Sequence, residues 1–265
     1  MPGAVTEAAR AKVNLTLAIV GRRSDGYHLL DSIAAFADIA DRLEFEKSSS
    51  FELSIDGPFA ASVPSDGSNL IARAARALFT ELPPVRIDLE KNIPVAAGLG
   101  GGSADAAATL RGLAKLFELN APDLPAVAAG LGADVPMCLC STACRLTGAG
   151  EVVSPMPRPR PRHALLINPG VSLPTAAVFR ELDASATRSR RRCRNDLTAP
   201  AMRLAPVIRD VLDELKSQPG ATVVRMSGSG PTCFGLFSSA SQADYARFKI
   251  NAAHPTWWCR RSVLT

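Results

Sequence analysis

The sequence predicts a chain of mixed strands and helices in two domains, on three observations. Short stretches of strict apolar–polar alternation recur along the chain, the period of half-buried strands. Stretches with apolar residues at helical spacing lie between them,. The run Ser154-Pro155-Met156-Pro157-Arg158-Pro159-Arg160-Pro161-Arg162 breaks both patterns, and alternating proline favours an extended, semi-rigid connector. The boundary is expected there, giving one domain over residues 1–154, a connector over 155–162 and a second domain over 163–265, a length that suits two domains.

Residues 11–20 alternate without a break. Val13, Leu15, Leu17 and Ile19 share one face, and Lys12, Asn14, Thr16 and Ala18 share the other,. The polar face reads either as ordinary solvent-facing surface or as part of a site. Gly21-Arg22-Arg23-Ser24-Asp25-Gly26 follows as a polar turn,, and Tyr27 and His28 come directly after it. A tyrosine–histidine pair can clamp a planar ring by stacking and hydrogen bonding, or simply close a packed loop edge. Residues 33–45 and 51–55 predict strands. Asp66-Gly67-Ser68-Asn69 forms an N-cap cluster that opens a helix with Leu70, Ala74 and Leu78 on one stripe,. A strand over 85–89 and a helix over 106–117 come next. Ala121-Pro122-Asp123 starts another helix, which stops at Gly130-Leu131-Gly132. In Ala133-Asp134-Val135-Pro136, the proline is expected to hold Val135 out of helical geometry,. That leaves Asp134 on a stiff loop, either as a surface residue or as a candidate for chemistry. Beyond the connector, residues 163–168, 222–226, 233–237 and 257–264 predict strands. Helices open at Pro174-Thr175, Pro206 and Ser241, and Ser227-Gly228-Ser229-Gly230-Pro231-Thr232 predicts a flexible loop,.

The stretch around which these elements are organised is Pro94-Val95-Ala96-Ala97-Gly98-Leu99-Gly100-Gly101-Gly102-Ser103-Ala104-Asp105. A glycine-rich loop running into a helix presents unpaired N–H groups where the helix dipole favours an anion. Glycine lets the backbone approach a phosphate with no Cβ in the way. No Lys-Ser or Lys-Thr follows the glycines, so this is not a P-loop,. Ser103 stands where a dinucleotide fingerprint needs its third glycine,.

Composition narrows the classes. Hydrophobic residues make up 47% and charged residues 21% of the 265, as in a globular protein with a real core. No apolar run approaches the ~20 residues that span a bilayer, and the first ten residues carry no apolar signal core. A cytoplasmic protein without membrane contact is therefore expected. Six cysteines are scattered, namely Cys138, Cys140, Cys144, Cys193, Cys233 and Cys259. Cys138-Leu139-Cys140 lies in an apolar run that reads as a strand, with both thiols on one face. No second Cys or His pair sits at zinc spacing, so free thiols and no protein-held metal are expected. The net charge of +5 suits anionic substrates,. Part of it lies in Arg188-Ser189-Arg190-Arg191-Arg192-Cys193-Arg194. No aromatics interleave with that run, which reads as a solvated loop or phosphate-facing rim and not as a nucleic-acid grip. Nothing indicates an obligate protein partner.

Taken together, these runs resemble a known family. Ala11-Lys12-Val13-Asn14-Leu15, residues 21–28, 98–105, 132–136, 169–175 and 227–232 are similar, in the family's order, to the motifs of the GHMP small-molecule kinases. The glycine loop alone gives only that superfamily. Residues 21–28 together with Gly132-Ala133-Asp134-Val135-Pro136 resemble, more narrowly, its members acting on a cytidine diphosphate-linked alcohol. Residues 184–194 match no family pattern. The resemblance implies an α+β fold in which an N-terminal ATP-binding domain contains a left-handed βαβ crossover, against the right-handed default. It also implies a ferredoxin-like C-terminal domain and an active site in the cleft between them. ATP with Mg²⁺ would be the cofactor and a small cytidine diphosphate compound the substrate. Pro94, Val95, Ala96, Ala97, Gly98, Leu99, Gly100, Gly101, Gly102, Ser103 and Ala104 would bind ATP, residues 98–103 cradling its β- and γ-phosphates, with Ser103 able to approach Mg²⁺. Asn69 and Leu70 would border the adenine. Lys12 and Asp134 would meet at the substrate hydroxyl. Tyr27 would stack on cytosine, His28 would bond its edge, and Phe179 would close the opposite face, with Thr175 and Asn14 near polar groups. Ser227, Gly228, Ser229 and Gly230 would form a loop near the phosphates. A kinase of the same superfamily acting on homoserine or a phosphomevalonate would keep the loop and need no aromatic clamp. A non-catalytic nucleotide- or RNA-binding protein would instead use the arginine run.

Overall fold

The computed structural model describes residues 3–64, 66–79, 81–120, 123–157, 160–184 and 194–265. All of the arginine run but Arg194 lies outside the described residues, as does part of the proline–arginine connector. The chain forms two compact units, each built from separate stretches of sequence. The first takes the chain up to Lys12, then Ile39–Val95 and Gly100–Ser141; the second takes Val13–Asp38, Ala96–Leu99 and Thr142–Thr265. Compactness does not divide the chain at the connector, because two long strands each run through both units: β1 (Val5–Arg22) and β2 (His28–Lys47). Each of these extends beyond the stretch that predicted it. β1 pairs with β2.

In the first unit, the second half of β2 pairs antiparallel with β4 (Val85–Glu90), from Arg42 opposite Glu90 to Lys47 opposite Val85. β4 pairs in parallel with β3 (Glu52–Asp56). Parallel neighbours need a crossover connection, and α1 (Leu70–Leu78) lies in it. The Asn69 side chain caps α1 by accepting from the Ile71 N–H at 2.8 Å,. The buried face of α1 is Ile71, Ala72, Ala74 and Ala75, one residue out of step with the expected stripe of Leu70, Ala74 and Leu78. α2 (Gly101–Leu116), α3 (Leu124–Leu131) and α4 (Val135–Cys140) complete the unit. α2 is seated directly on the sheet: a Cβ on Gly112 would lie 2.3 Å from the Phe45 ring. Phe45, Leu43, Ile87, Leu110 and Leu113 are all fully buried, each side chain worth roughly 1.5–3 kcal/mol.

Three local expectations are corrected here. α2 begins at Gly101, not at residue 106, because glycines tolerated in a first turn are drawn into a helix whose remainder is fully packed. Val135 is helical, and Pro136 sits in the first turn of α4, where its missing N–H would have had no partner anyway. Cys138 and Cys140 are therefore on a helix: Cys138 is buried and Cys140 exposed, not side by side on a strand face.

The second unit is built on β7 (Arg162–Asn168), β8 (Ala221–Met226), β9 (Cys233–Phe237) and β10 (Trp258–Leu264), with α5 (Thr175–Ala184), α6 (Thr198–Leu204), α7 (Val207–Ser217) and α8 (Ala240–Ala253). The antiparallel order β10-β7-β9-β8 is that of a ferredoxin-like β-α-β-β-α-β unit. Leu165, Ile167, Val178, Ile208, Val211, Leu215 and Ala246 form its core. The hairpin β5 (Cys144–Thr147) and β6 (Val152–Pro155) joins the first half of β2. These four-residue strands are too short to show a period in the sequence. Among the described residues no helix is long and apolar enough to cross a membrane, and no group of His, Cys, Asp or Glu could hold a metal ion.

Candidate active site

The polar face of β1 is not a solvent face. Lys12 is only 5% and Asn14 only 3% exposed. In the first unit, Lys12 Nζ lies 3.5 Å from Asp134 Oδ2, so residues 122 positions apart in sequence form an ion pair. Asp134 is the N-cap residue of α4, yet its side chain caps no backbone N–H, and about a third of it is exposed. The stem of Lys12 runs against the glycine loop: a Cβ on Gly100 would lie 2.8 Å from Lys12 Cγ. A side chain there would push the ammonium away from Asp134.

Arg111 of α2 fastens both elements that carry this pair. Its Nε donates to Glu7 Oε2 at 2.7 Å and its Nη2 to the Ala8 carbonyl at 3.1 Å, both on β1. Its Nη1 donates to the Cys138 carbonyl of α4 at 3.1 Å. Burial, followed by the nearby Asp134 carboxylate, pushes the Cys138 thiol upward, so it packs as a neutral, unreactive group.

The first turn of α2 is open to an anion. Its N-cap is Gly100 at φ +66°, which offers no side-chain cap. The first intrahelical bond runs from the Ala104 N–H to the Gly100 carbonyl at 2.8 Å. The N–H groups of Gly101, Gly102 and Ser103 therefore precede the helical ladder. A Cβ on Gly102 would meet only Leu70 Cδ1, at 3.4 Å, so the backbone here faces space. The donor set, the empty side-chain position and the helix dipole all fit a phosphate. The other glycines have a different reason. A Cβ on Gly101 would lie 3.2 Å from both Ile93 Cγ2 and Lys91 Nζ, and one on Gly98 would lie 2.5 Å from the Ser227 carbonyl oxygen. They admit the protein's own atoms, not a ligand. The Asn69 side chain, expected beside adenine, is occupied by capping α1 and by donating to the Pro64 carbonyl at 2.7 Å.

Beneath this turn lies a cluster that sequence reasoning missed. Lys91 Nζ stands 2.5 Å from Asp41 Oδ2 and 2.5 Å from Asp105 Oδ2, and all three residues are buried. Burial would lower the Lys91 ammonium, but Asp105 and Asp41 together outweigh it and raise it. Burial pushes the Asp105 carboxyl up to about 8, against the pull of Lys91 and with the push of Asp41. An acid raised in the folded state stabilises the fold fully below its unfolded value, and that stabilisation is lost as pH climbs through the folded value. For Asp105 the window runs from 3.8 to about 8. Asp105→Asn, which cannot titrate, should therefore gain melting temperature relative to the parent as pH rises through that window. A difference independent of pH would refute the assignment.

In the second unit, Ser227 Oγ donates to the Gly98 carbonyl at 3.0 Å and accepts from the Asn14 N–H at 3.1 Å. Asn14 Nδ2 donates to Ser32 Oγ at 2.8 Å. Thr175 Oγ1 and Ser229 Oγ are 2.8 Å apart. Asn195, which no sequence signal singled out, donates to the Met226 and Gly228 carbonyls at 2.9 and 2.7 Å and so holds the second glycine loop. The aromatic residues are arranged differently from the expected sandwich. Phe179 stacks on His28, with ring centroids 4.9 Å apart. His28 Nε2 lies 2.9 Å from Asp183 Oδ1. Tyr27 stands 65% exposed, with the Arg23 guanidinium 5.7 Å from its ring centroid. A cavity of about 660 Å³ in this unit, lined by Asn195, Asp196, Arg209 and Lys216 among others, includes none of the expected site residues.

Comparisons with known proteins place the chain in a family. The model of the GHMP kinases N terminal domain matches residues 69–142, and that of the GHMP kinases C terminal region matches residues 176–256. A Cereibacter sphaeroides protein named 4-diphosphocytidyl-2-C-methyl-D-erythritol kinase is 47% identical, over 96% of this chain and 97% of that protein. A crystal structure of 4-(cytidine 5'-diphospho)-2C-methyl-D-erythritol kinase is 36% identical, covers 98% of this chain and 99% of its own, and has a TM-score of 0.82. A homoserine kinase from Cytophaga hutchinsonii shares the fold, with a TM-score of 0.77 at 18% identity over 100% of this chain and 95% of its own. The chain belongs to the GHMP kinases and, within them, to the family of the 4-diphosphocytidyl-2-C-methyl-D-erythritol kinases.

Proposed function

We propose that this chain transfers the γ-phosphoryl group of ATP to the 2-hydroxyl of 4-(cytidine 5′-diphospho)-2-C-methyl-D-erythritol, a step of the non-mevalonate (MEP) route to isoprenoid precursors. The observation that carries the reading is the Lys12–Asp134 pair at 3.5 Å, with the stem of Lys12 lying against Gly100 at the head of α2. The N–H groups of Gly101, Gly102 and Ser103 would hold the β- and γ-phosphates. Bound Mg²⁺ would neutralise phosphate charge, held by the ATP phosphates, with the Ser103 hydroxyl able to approach it. Phosphoryl transfer through a loose transition state needs little early deprotonation of the acceptor. Asp134 therefore orients the hydroxyl and takes its proton late. Lys12 holds Asp134 in place and offsets charge on the transferring group. Cytoplasmic location and the domain division at residues 155–162 belong to the same proposal.

The deciding experiment is a coupled assay with ATP and the cytidine substrate, run beside homoserine and mevalonate. Turnover of the cytidine compound alone is the expected result, and turnover of a control instead would replace the reading. Among the aromatic residues, Tyr27 carries the recognition of cytosine, since Phe179 and His28 are stacked on each other. Stacking is worth ~1–3 kcal/mol per base. Tyr27→Ala should thus raise the KM for the cytidine substrate by about 5- to 150-fold and leave the KM for ATP within about 2-fold. Equal shifts in both would remove Tyr27 from the base site.

A further inference from the structure

Asp41, Lys91 and Asp105 take no part in the proposed reaction, yet burying three ionisable groups carries a desolvation cost that apolar residues would avoid. Their geometry indicates what they do. Asp41 Oδ1 accepts from the N–H groups of Asn92 and Ile93 at 2.6 and 2.8 Å. This fixes the chain as it leaves β4 towards the glycine loop. Asp41 Oδ2 takes Lys91 Nζ, and the same ammonium reaches Asp105 Oδ2 inside α2. Asp105 is one turn beyond Gly101, and Gly101 itself packs against Lys91 and Ile93. One ammonium thus ties down both the entry to the loop and the helix that leaves it.

We propose that Lys91 and Asp105 are positioning residues for the phosphoryl donor: the hydrogen bond between them sets the direction of the first turn of α2, and with it the aim of the Gly101, Gly102 and Ser103 N–H groups. The inference rests on reading that turn as the phosphate site. Both side chains are buried, with the Lys91 ammonium held between the two carboxylates. Hydrogen bonds weaken steeply as their angles depart from linear, so a tilted turn loses grip on every phosphate oxygen at once. The loss falls on ATP and not on the alcohol.

The test compares Lys91→Met, Asp105→Ala and Asp105→Asn in the full chain, reading both KM values, kcat and the melting temperature. Lys91→Met and Asp105→Ala should raise the KM for ATP by about 10-fold or more, with the KM for the cytidine substrate within about 2-fold. Asp105→Asn keeps a carbonyl oxygen for Lys91 and should stay within about 3-fold of the parent for ATP. Lower melting temperatures with unchanged KM values, or equal shifts in both KM values, would overturn the proposal. If Lys91→Met does not fold, the Asp105→Ala and Asp105→Asn pair decides, because both leave Lys91–Asp41 intact. Gly102→Val, which fills the space facing the turn, separates the two levels of the argument. An unchanged KM for ATP in Gly102→Val would overturn the phosphate-site reading itself. A raised KM there, with Asp105→Ala and Lys91→Met at the parental value, would overturn the positioning role alone.

Discussion

Asp134→Asn should lower turnover by about 10²–10⁴-fold, the usual contribution of a positioned general base, with ATP binding unchanged within about 2-fold. Asparagine preserves the shape of the side chain and removes the charge. The acceptor hydroxyl then loses both its orienting acceptor and the destination of its proton. Lys12, only 5% exposed, loses the carboxylate 3.5 Å away, and with it the neutralising partner that sets where its ammonium sits. Stability should move by less than about 1 kcal/mol, since a pair with one partner a third exposed is screened by solvent. The measurement is steady-state kinetics beside nucleotide binding and a melting curve. Turnover within about 3-fold of the parent in a folded variant would end the catalytic assignment.

Much of this site was legible in the sequence because strand periodicity is strict. Alternation over residues 11–20 set Lys12 and Asn14 on one face, and both are buried. The glycine run was read as a loop leading into a helix, and the helix in fact begins within it, at Gly101. What alternation could not say was that the polar face would be covered, because burial of a second face depends on what the rest of the chain lays over it. The Asp41–Lys91 pair was in fact readable. Ala35, Ala37, Leu43 and Phe45 share the inward row of β2 with Asp41. A lone carboxylate in an apolar row requires a cation. Val85, Ile87 and Leu89 form the inward row of β4, which continues to Lys91, one step past the register pair Arg42–Glu90.

Other features had no signal to find. The role of Arg111 depends on three carbonyls and a carboxylate brought together only by folding. The stack of Phe179 on His28 joins residues on α5 and β2, and nothing in either local sequence specifies the other. The misread of residues 138–140 has a simple cause. Three apolar residues fit a strand and a helix equally well, and Pro136 signals the first turn of a helix as readily as its exclusion.

The glycine loop itself gives the other large effect, and it concerns stability, not chemistry. Gly98→Ala should cost about 3 kcal/mol or more. Gly98 has φ +73°, which costs a residue with a Cβ about 1–2 kcal/mol. The new Cβ would stand 2.5 Å from the Ser227 carbonyl oxygen and 2.8 Å from that of Gly230. Both are backbone atoms that cannot rotate away, so overpacking adds about 1–3 kcal/mol. The Ser227 hydroxyl bond to the Gly98 carbonyl is strained by the same shift. Gly102→Ala, four residues on, makes the contrast: its nearest neighbour would be the end of a leucine side chain at 3.4 Å, and alanine is the better helix former by about 1 kcal/mol. At about 2–4 °C per kcal/mol, Gly98→Ala should melt about 6–12 °C below the parent, and Gly102→Ala within about 2–4 °C of it. Equal melting temperatures for the two variants would show that the loop's first glycine is there for the ligand after all, and that the contact with Ser227 and Gly230 yields when pressed.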